Sequence, residues 1–585
     1  MLKTLSKQIR EFRLPAILTP LCMIGEVFFE MLIPLMMASI IDQGVEKGDM
    51  AAIVSIGLRM LVLALGGLLT GVMGGQLAAK ASAGFARNLR EAMFSQIQEF
   101  SFSNIDKYST SSLVTRLTTD ITNIQNAFQM ILRMMVRAPL SLITAMFLSF
   151  TISPRLASIY LVAVLVLGSF LFMIMKRATK TFSQIFPKYD ELNESIDENV
   201  TAIRVVKAFV REDYETQKEK KASGNIYQLF KKAESIIVLN MPVMQATVYT
   251  CILLISWIGA KMIVTTQQTA LTTGNLMSLL TYCMNILGSL MFLSMAFVMI
   301  TMSQASAKRI CEVLDEQSDL VNPENPVFEV PDGSIEYQNV MFTYAGGSGE
   351  PVLRDIDLSI RSGETIGIIG GTGSAKTSLV NLLSRLYDVD SGCVKVGGTD
   401  VRSYDLDTLR SKVSVVLQKN VLFSGSILEN LRWGDPQATE EECREACRLA
   451  CADEFIEKLP EGYNTHIEQG GTNVSGGQRQ RLCIARALLK KPKVIIFDDS
   501  TSAVDTATDA KIRAALAENI PDTTKLIVAQ RISSVSHADR VIVMEDGRVD
   551  GFDTPENLLK TNRIYQEVYE SQTGGNGDFD EGGDR

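Results

Sequence analysis

Ile368-Ile369-Gly370-Gly371-Thr372-Gly373-Ser374-Ala375-Lys376-Thr377-Ser378 is a short apolar run that breaks into a glycine-rich loop closing on Lys-Thr-Ser. Glycines let successive backbone N–H groups turn inward around a polyphosphate, a following helix adds its positive end, and a lysine supplies a point charge. The stretch therefore reads as a phosphate cradle, with Gly370, Gly371, Thr372, Gly373, Ser374 and Ser378 shaping it. Lys376 is expected to reach the β- and γ-phosphates of a nucleotide and Thr377 to hold Mg²⁺. Such loops usually end Gly-Lys-[Ser/Thr]. Here Ala375 precedes the lysine, and its methyl group is expected to weaken the cradle without destroying it.

About 120 residues downstream, Val494-Ile495-Ile496-Phe497-Asp498 has the form of a buried strand that ends in a carboxylate aimed at a metal. A glycine-rich loop alone has a real false-positive rate. The loop and the acidic strand, in this order, form a far more specific pair. The surrounding segment, from Ser334-Ile335-Glu336-Tyr337 onward, alternates strand-like and helical stretches and reads as an α/β domain.

The remainder of the chain is different. With 585 residues, of which 46% are hydrophobic, the chain is too long for one core, and its apolar content, high for a soluble protein of this size, points to a membrane portion. Apolar runs at residues 14–41, 53–79, 138–152, 156–175, 235–260 and 276–307 read as six membrane spans. The connections alternate between short loops and long segments rich in lysine and arginine. The positive-inside rule places the long segments and both termini in the cytoplasm. Residues 82–100 and 189–210 keep helical spacing, so the spans should extend well beyond the bilayer.

Charges inside the spans are costly and need partners. Glu26 and Glu30 share a helix face; they read either as a cation-binding patch or, as favoured here, as groups that pair with arginines on neighbouring helices or lie near the interface, and Arg59, Arg133 and Arg137 are further charges in or near the spans. Met284, Met291, Met295, Met299 and Met302 in the sixth span suit an adaptable apolar pocket or ordinary packing equally. Nine cysteines show no paired framework. Cys443, Cys447 and Cys451 are expected on one helix face, where packing is favoured over a metal site. The net charge of −9 gives no footprint for nucleic acid. The expected division is a transmembrane domain over 1–310, a linker over 311–333, a nucleotide-binding domain over 334–572 and a glycine-rich acidic tail over 573–585.

Between the loop and the acidic strand lies Val474-Ser475-Gly476-Gly477-Gln478. With this motif the chain resembles the ATP-binding cassette exporters, whose signature is normally Leu-Ser-Gly-Gly-Gln, and the resemblance covers nearly the whole sequence. It implies a membrane α-helical bundle of six helices fused to an α/β P-loop domain, with ATP and Mg²⁺ as cofactors. By the same resemblance Tyr344 would stack on adenine, Gln418 would be the Q-loop contact to Mg²⁺ beside Thr377 and Asp498, and Ser502-Ala503-Val504-Asp505 would be the D-loop. Glu468-Gln469-Gly470-Gly471 would lie near the interface between cassettes. Residues 106–120, with Leu113, Arg116 and Leu117, and 198–212, with Arg204, Lys207, Ala208 and Phe209, resemble the two intracellular coupling loops. Two cassettes of this family face each other head to tail, and the signature of one completes the ATP site of the other. One cassette and six spans make half of such a transporter.

Three positions depart from the family pattern. Asp499 stands where a glutamate polarises the attacking water, Gln530 replaces the switch histidine, and Ala375 replaces a glycine. Aspartate is one methylene short of the reach a general base needs, and glutamine carries neither the proton nor the charge. The signature, Ser475, Gly476, Gly477 and Gln478, is intact. The expectation is a heterodimeric multidrug exporter in a bacterial inner membrane, exporting amphiphilic compounds, with this chain contributing the slow ATP site. Lipid or peptide translocation, or a non-transporting gate, are the alternatives; the lack of an N-terminal peptidase domain counts against peptide processing.

Overall fold

A computed structural model describes residues 1–344, 349–499 and 504–573. It separates into two compact units, Met1–Glu99 with Ser109–Glu316, and Phe100–Tyr108 with the chain from Gln317 onward.

The first unit is helical: α1 (Arg13–Ser39), α2 (Met50–Gln98), then, beyond α3 (Phe102–Lys107), α4 (Ile121–Ile152), α5 (Pro154–Thr201), α6 (Ile203–Ala208), α7 (Glu212–Ile237), α8 (Asn240–Thr266) and α9 (Thr273–Asp315). Among the described residues six segments are long and apolar enough to cross a membrane, in agreement with the six expected spans. Small residues line the approach of the first two: a Cβ at Gly74 would fall 2.4 Å from the Met23 methyl carbon, so a larger residue there would require that flexible side chain to move. The other face of α2 exposes Val54, Leu58, Leu61, Leu65 and Leu68, side chains suited to lipid.

Several polar groups within this unit find partners. Arg137 on α4 bridges both acids of α1, with Nε 3.5 Å from Glu26 and Nη2 3.0 Å from Glu30, which is the pairing favoured from sequence. Tyr160 and Tyr282 donate to the carbonyls of Leu279 and Met31 at 2.6 and 2.7 Å. Asp120, with 1% of its side chain exposed, accepts from Ser306 Oγ at 2.8 Å and from Arg309 Nε at 2.7 Å.

The extensions differ in detail from their expected limits. The first, within α2, is unbroken to Gln98. The second stops at Thr201, where Ala202 takes φ −93°, ψ 17°, and α6 starts afresh before Val210 turns to φ +52°. The short helix of the first loop lies at Phe102–Lys107, ahead of most of the expected stretch, while Arg116–Asp120 already belongs to the helical run into α4.

In the second unit the strands β1 (Ile335–Phe342), β2 (Leu353–Ile360), β4 (Ser391–Val396) and β5 (Thr399–Asp400) form an antiparallel sheet in the order β2-β1-β4-β5. A second sheet runs β12-β11-β3-β10-β9-β6, built from β3 (Thr365–Gly370), β6 (Val413–Val416), β9 (Val494–Asp498), β10 (Thr524–Val528), β11 (Arg540–Glu545) and an antiparallel edge strand β12 (Arg548–Asp553). A small pair, β7 (Gly425–Ser426) and β8 (His466–Ile467), lies apart. Around the sheets pack α10 (Lys376–Asn381), α11 (Glu440–Leu449), α12 (Gly476–Leu489), α13 (Thr506–Asn519) and α14 (Arg563–Thr573). Every residue of β9 and β10 is buried, as parallel strands covered on both faces require.

Cys443 and Cys447 are buried in α11, but that helix ends at Leu449 and Cys451 follows at φ +51°. The third thiol therefore leaves the helix face it was expected to share. Among the described residues no group of side chains is arranged to hold a metal through protein ligands alone.

Asp120 is buried but the Arg309 side chain is 41% exposed, so removing the arginine leaves a buried carboxylate short of donors at a cost of about 1–3 kcal/mol. Arg309→Met should therefore lower the thermal midpoint of the purified protein clearly, and adding Asp120→Leu should recover part of the loss. An unchanged midpoint in the single variant would show that the pair carries no stability.

Candidate nucleotide site

Three parallel strands bring the distant motifs together. In the β10 register Val528 lies opposite both Ile368 of β3 and Asp498 of β9. The loop after β3, the carboxylate that ends β9 and the residues just beyond β10 must then meet at the C-terminal edge of the sheet, where ligands bind in open α/β folds.

The glycine-rich loop leaves β3 through Gly370 at φ +152°, where a Cβ would sit 2.2 Å from the Met544 carbonyl oxygen. No other residue fits there. Gly371 leaves open space on its Cβ side, as does Gly373, which sits at φ +86°; backbone exposed in this way can approach a phosphate closely. Thr372 and Ser374 complete the turn, and Ser374 is buried. Ala375 caps α10 in the left-handed conformation, φ +69°, ψ 24°, with its methyl packed against the sheet core. Its cost is therefore in backbone conformation, on the order of 1–2 kcal/mol for a non-glycine residue, while the methyl is turned to the core.

Lys376 folds across the loop. Its Nζ donates to the carbonyls of Gly370 and Gly371 at 3.0 and 2.8 Å and to Ser374 Oγ at 3.3 Å. Burial lowers its pKa, and the charges of Asp499 and Asp498 oppose that shift. Thr377 Oγ1 donates to Asp498 Oδ1 at 3.0 Å. Burial raises the Asp498 carboxyl, and the Thr377 hydrogen bond pulls it back. Ser378 Oγ shares a 2.8 Å hydrogen bond with Tyr344 Oη, and the Tyr344 ring stands edge-on to Tyr387 at 5.2 Å.

Asp499 adopts φ +47° directly after β9, and its N–H donates to Val528 O at 3.0 Å. Its Oδ2 accepts from Gln530 Nε2 at 2.7 Å and, at a longer 3.4 Å, from Gln418 Nε2. Asp498, Asp499, Gln418, Gln530, Thr377 and Lys376 thus form one cluster. Its hydroxyl, carboxylate and amide oxygens are hard donors, the set that suits Mg²⁺ shared with nucleotide phosphates, so the residues present fit Mg-nucleotide.

The signature lies elsewhere in the unit. Ser475 caps α12: its Oγ accepts from Gln478 N at 3.2 Å, and its own N–H donates to Gln478 Oε1 at 2.9 Å. Gly476 and Gly477 form the first turn, and Val474 packs against the core beneath it. Thr472 Oγ1 donates to Glu468 at 2.8 Å. Asp505 caps α13 by accepting from Thr508 N at 2.9 Å, whereas Ser502 and Ala503 fall outside the described residues.

A family model described as the ABC transporter transmembrane region matches residues 16–291, and one described as ABC transporter matches residues 353–502. An uncharacterized ABC transporter ATP-binding protein of Bacillus subtilis (strain 168), YfiB, is 35% identical over 569 residues, covering 97% of this chain and 98% of that protein. The chain belongs to the ABC transporter family. Another uncharacterized ABC transporter ATP-binding protein, from Mycobacterium tuberculosis (strain ATCC 25618 / H37Rv), is 36% identical to this transporter over 578 residues, covering 98% of each. In fold the transporter is similar to a bacterial Atm1-family ABC exporter solved with ATP bound, with a TM-score of 0.83, 22% identity and coverage of 97% and 99%. It is thus an ABC transporter with membrane-spanning and ATP-binding regions fused in one chain, and it shares the fold of that exporter.

Some residues of the transporter's site carry no signal in sequence. Gln572 on α14 donates from Nε2 to Gln530 O at 2.9 Å and accepts at Oε1 from Ile532 N at 2.8 Å, which fixes the backbone on both sides of Arg531, just beyond the switch position. Arg513 Nη1 reaches the carbonyls of Ser533 and Ser534 at 3.2 and 3.4 Å. Neither belongs to a motif, and only the fold brings them to the loop.

Thr377→Val deletes one hard oxygen and the hydrogen bond that holds Asp498. ATP affinity should then lose its Mg²⁺-dependent part, by about 10–100-fold, with affinity in EDTA nearly unchanged; a fluorescent ATP analogue titrated in both conditions reads this directly. Equal losses in both would reduce Thr377 to a structural role.

Proposed function

We propose that this ABC transporter works as one half of a heterodimeric exporter of amphiphilic compounds, that its own ATP site is slow, and that its signature serves the partner's fast site. The observation that carries this reading is the Asp499–Gln530 pair. The carboxylate at the position of the general base is a methylene short, and its Oδ2 is held at 2.7 Å by a neutral amide at the switch position. A carboxylate so engaged is poorly placed to take a proton from water, and the amide cannot receive or deliver one.

Bound Mg²⁺ would neutralise charge on the polyphosphate. Thr377, Asp498 and Gln418 would hold it, Lys376 would turn from the loop carbonyls to the phosphates, and Tyr344 would offer its ring to the base. Gln530 would orient the γ-phosphate without proton transfer, so the site would retain its nucleotide. The capped first turn of α12 offers the N–H groups of Gly476 and Gly477 to a nucleotide on the partner subunit. Closure of the two cassettes would be passed to the spans through the loops around Phe102–Lys107 and Ile203–Ala208.

The working division of the chain is a transmembrane domain over 1–310, a linker over 311–333 and a nucleotide-binding domain over 334–572. Export of amphiphiles is supported by Met284, Met295 and Met302 of the sixth span, which remain exposed and offer deformable apolar surface. The acids of the first span are already engaged by Arg137.

Co-expression with the product of a neighbouring transporter gene should yield a stable pair whose ATPase responds to cationic amphiphiles. A homodimer of this chain with matching ATPase and transport would refute the reading. In a pair whose partner lacks its own catalytic glutamate, Asp499→Glu with Gln530→His should raise phosphate release at least about tenfold, which corresponds to about 1.4 kcal/mol of barrier. Failure to gain would shift the defect to the glycine-rich loop.

A further inference from the structure

Tyr387 follows α10 and stands outside the motifs named above, yet it touches both the nucleotide side and the segment Phe100–Tyr108, which belongs to the same compact unit. The turn that carries it is braced. Arg385, whose side chain is 5% exposed, grips Asp388 with two hydrogen bonds, Nε to Oδ1 at 2.9 Å and Nη2 to Oδ2 at 3.1 Å. The backbone at Tyr387 is thereby restrained, and its side chain is held between two sets of neighbours.

On one side three rings lock together. Phe342 of β1 is buried; Tyr344 stands edge-on to it at 4.8 Å and to Tyr387 at 5.2 Å, with 90° between the planes of the two tyrosines. Phe342 also meets Tyr387 at 5.6 Å. Each ring touches the other two, so none can turn unless its neighbours yield. Tyr344 keeps 37% of its surface exposed, which leaves room for a base.

On the other side Tyr387 reaches the loop helix α3. Its Oη donates to Asp106 Oδ2 at 2.7 Å, and its ring lies 6.2 Å from that of Phe102. Burial and the Asp106 hydrogen bond push the phenol pKa up, so the hydroxyl stays protonated and remains the donor. The helix is tied at a second place, where Ser103 Oγ donates to Asp319 Oδ2 at 2.5 Å and Asn104 Nδ2 to the Gln317 carbonyl at 3.2 Å. Just before this segment α2 ends, at Gln98, so ordering of the segment bears on the end of a spanning helix.

We propose that Tyr387 is a positioning residue that makes the segment Phe100–Tyr108 respond to the nucleotide base. This rests on the reading of Tyr344 as the ring that meets the base, and not on the division of labour between two subunits. A base stacked on Tyr344 takes away that ring's freedom to turn. Tyr387, wedged against it, loses freedom as well, and the entropic cost of holding Asp106 at its hydroxyl falls. A triphosphate without a base fills the glycine-rich loop and leaves the three rings as they were. The segment thus distinguishes a nucleotide from its phosphates alone.

Hydrogen–deuterium exchange of residues 100–108 tests this in the full-length transporter in nanodiscs, with Mg²⁺ and a saturating amount of either a non-hydrolysable ATP analogue or tripolyphosphate. The analogue should slow exchange there by about threefold or more, and tripolyphosphate should not. In Tyr387→Phe, which keeps the ring and loses the hydroxyl, the slowing should vanish. Asp106→Asn, whose amide oxygen still accepts, should retain it, and Asp106→Leu should lose it. A bond that merely docks the loop would, once removed, speed exchange equally with and without the analogue and preserve the ratio. That result, equal slowing by tripolyphosphate, or no slowing in the wild type overturns the proposal. Tyr344→Leu separates the two readings: in competition with a fluorescent ATP analogue it should weaken the non-hydrolysable analogue about tenfold relative to tripolyphosphate. An unchanged ratio overturns the base contact and the relay with it, whereas a weakened analogue with slowing intact in Tyr387→Phe overturns the relay alone.

Discussion

The nucleotide site depends on the register of three parallel strands. Because Val528 pairs with Ile368 on one side and Asp498 on the other, the chain positions after β3, β9 and β10 are presented at one edge. A slip of one residue in β10 would turn its buried side chains to the opposite face and move Gln530 away from Asp499. The complete burial of β9 and β10 excludes that slip. The contact between a carboxylate and an amide 31 positions apart is thus fixed by hydrophobic packing beneath it.

Backbone strain is concentrated at the same place. Ala375 and Asp499, two of the three departures from the family pattern, both lie in left-handed conformations. Aspartate reaches that region more readily than most residues, whereas alanine has no side-chain hydrogen bond to offset its cost. The loop keeps its glycine-like course at Ala375 although the glycine is gone, because the methyl is accepted by the core below. Strain of this kind persists only where the surrounding structure over-determines it. The hydrogen bonds of Lys376, Thr377 and the Asp499 N–H provide that surrounding structure.

Six spans and the strands around the glycine-rich loop were legible because each rests on a strong local signal, a long apolar run or a buried β-branched stretch. The convergence of Lys376, Thr377, Asp498, Gln418, Asp499 and Gln530 was legible through the family resemblance. Helix ends were less so. The break falls at Ala202, the residue type with the highest helix propensity, although β-branched Val200, Thr201 and Ile203 flank it, and nothing before Leu449 announces that Cys451 will leave the helix. Arg137 could be recognised as in need of a partner, but only packing shows that one guanidinium serves both Glu26 and Glu30. Gln572 and Arg513 act on backbone carbonyls or amides and so leave no pattern of residue types to read.

Those two residues also bear on what a glutamine at the switch position can do. The loop is held at three points: Gln530 Nε2 on Asp499, Gln572 astride Gln530 and Ile532, and Arg513 on Ser533 and Ser534. Each anchor comes from a different element, the end of β9, the C-terminal helix α14 and the helix α13. A group that must shuttle a proton between water and phosphate gains from freedom to move, whereas one that only senses the phosphate gains from rigid attachment to its neighbours. The triple anchoring favours the second task. On the proposed reading, in which a partner's site would carry the faster chemistry, a tightly held switch loop would suit a site that retains its nucleotide and keeps the cassettes together.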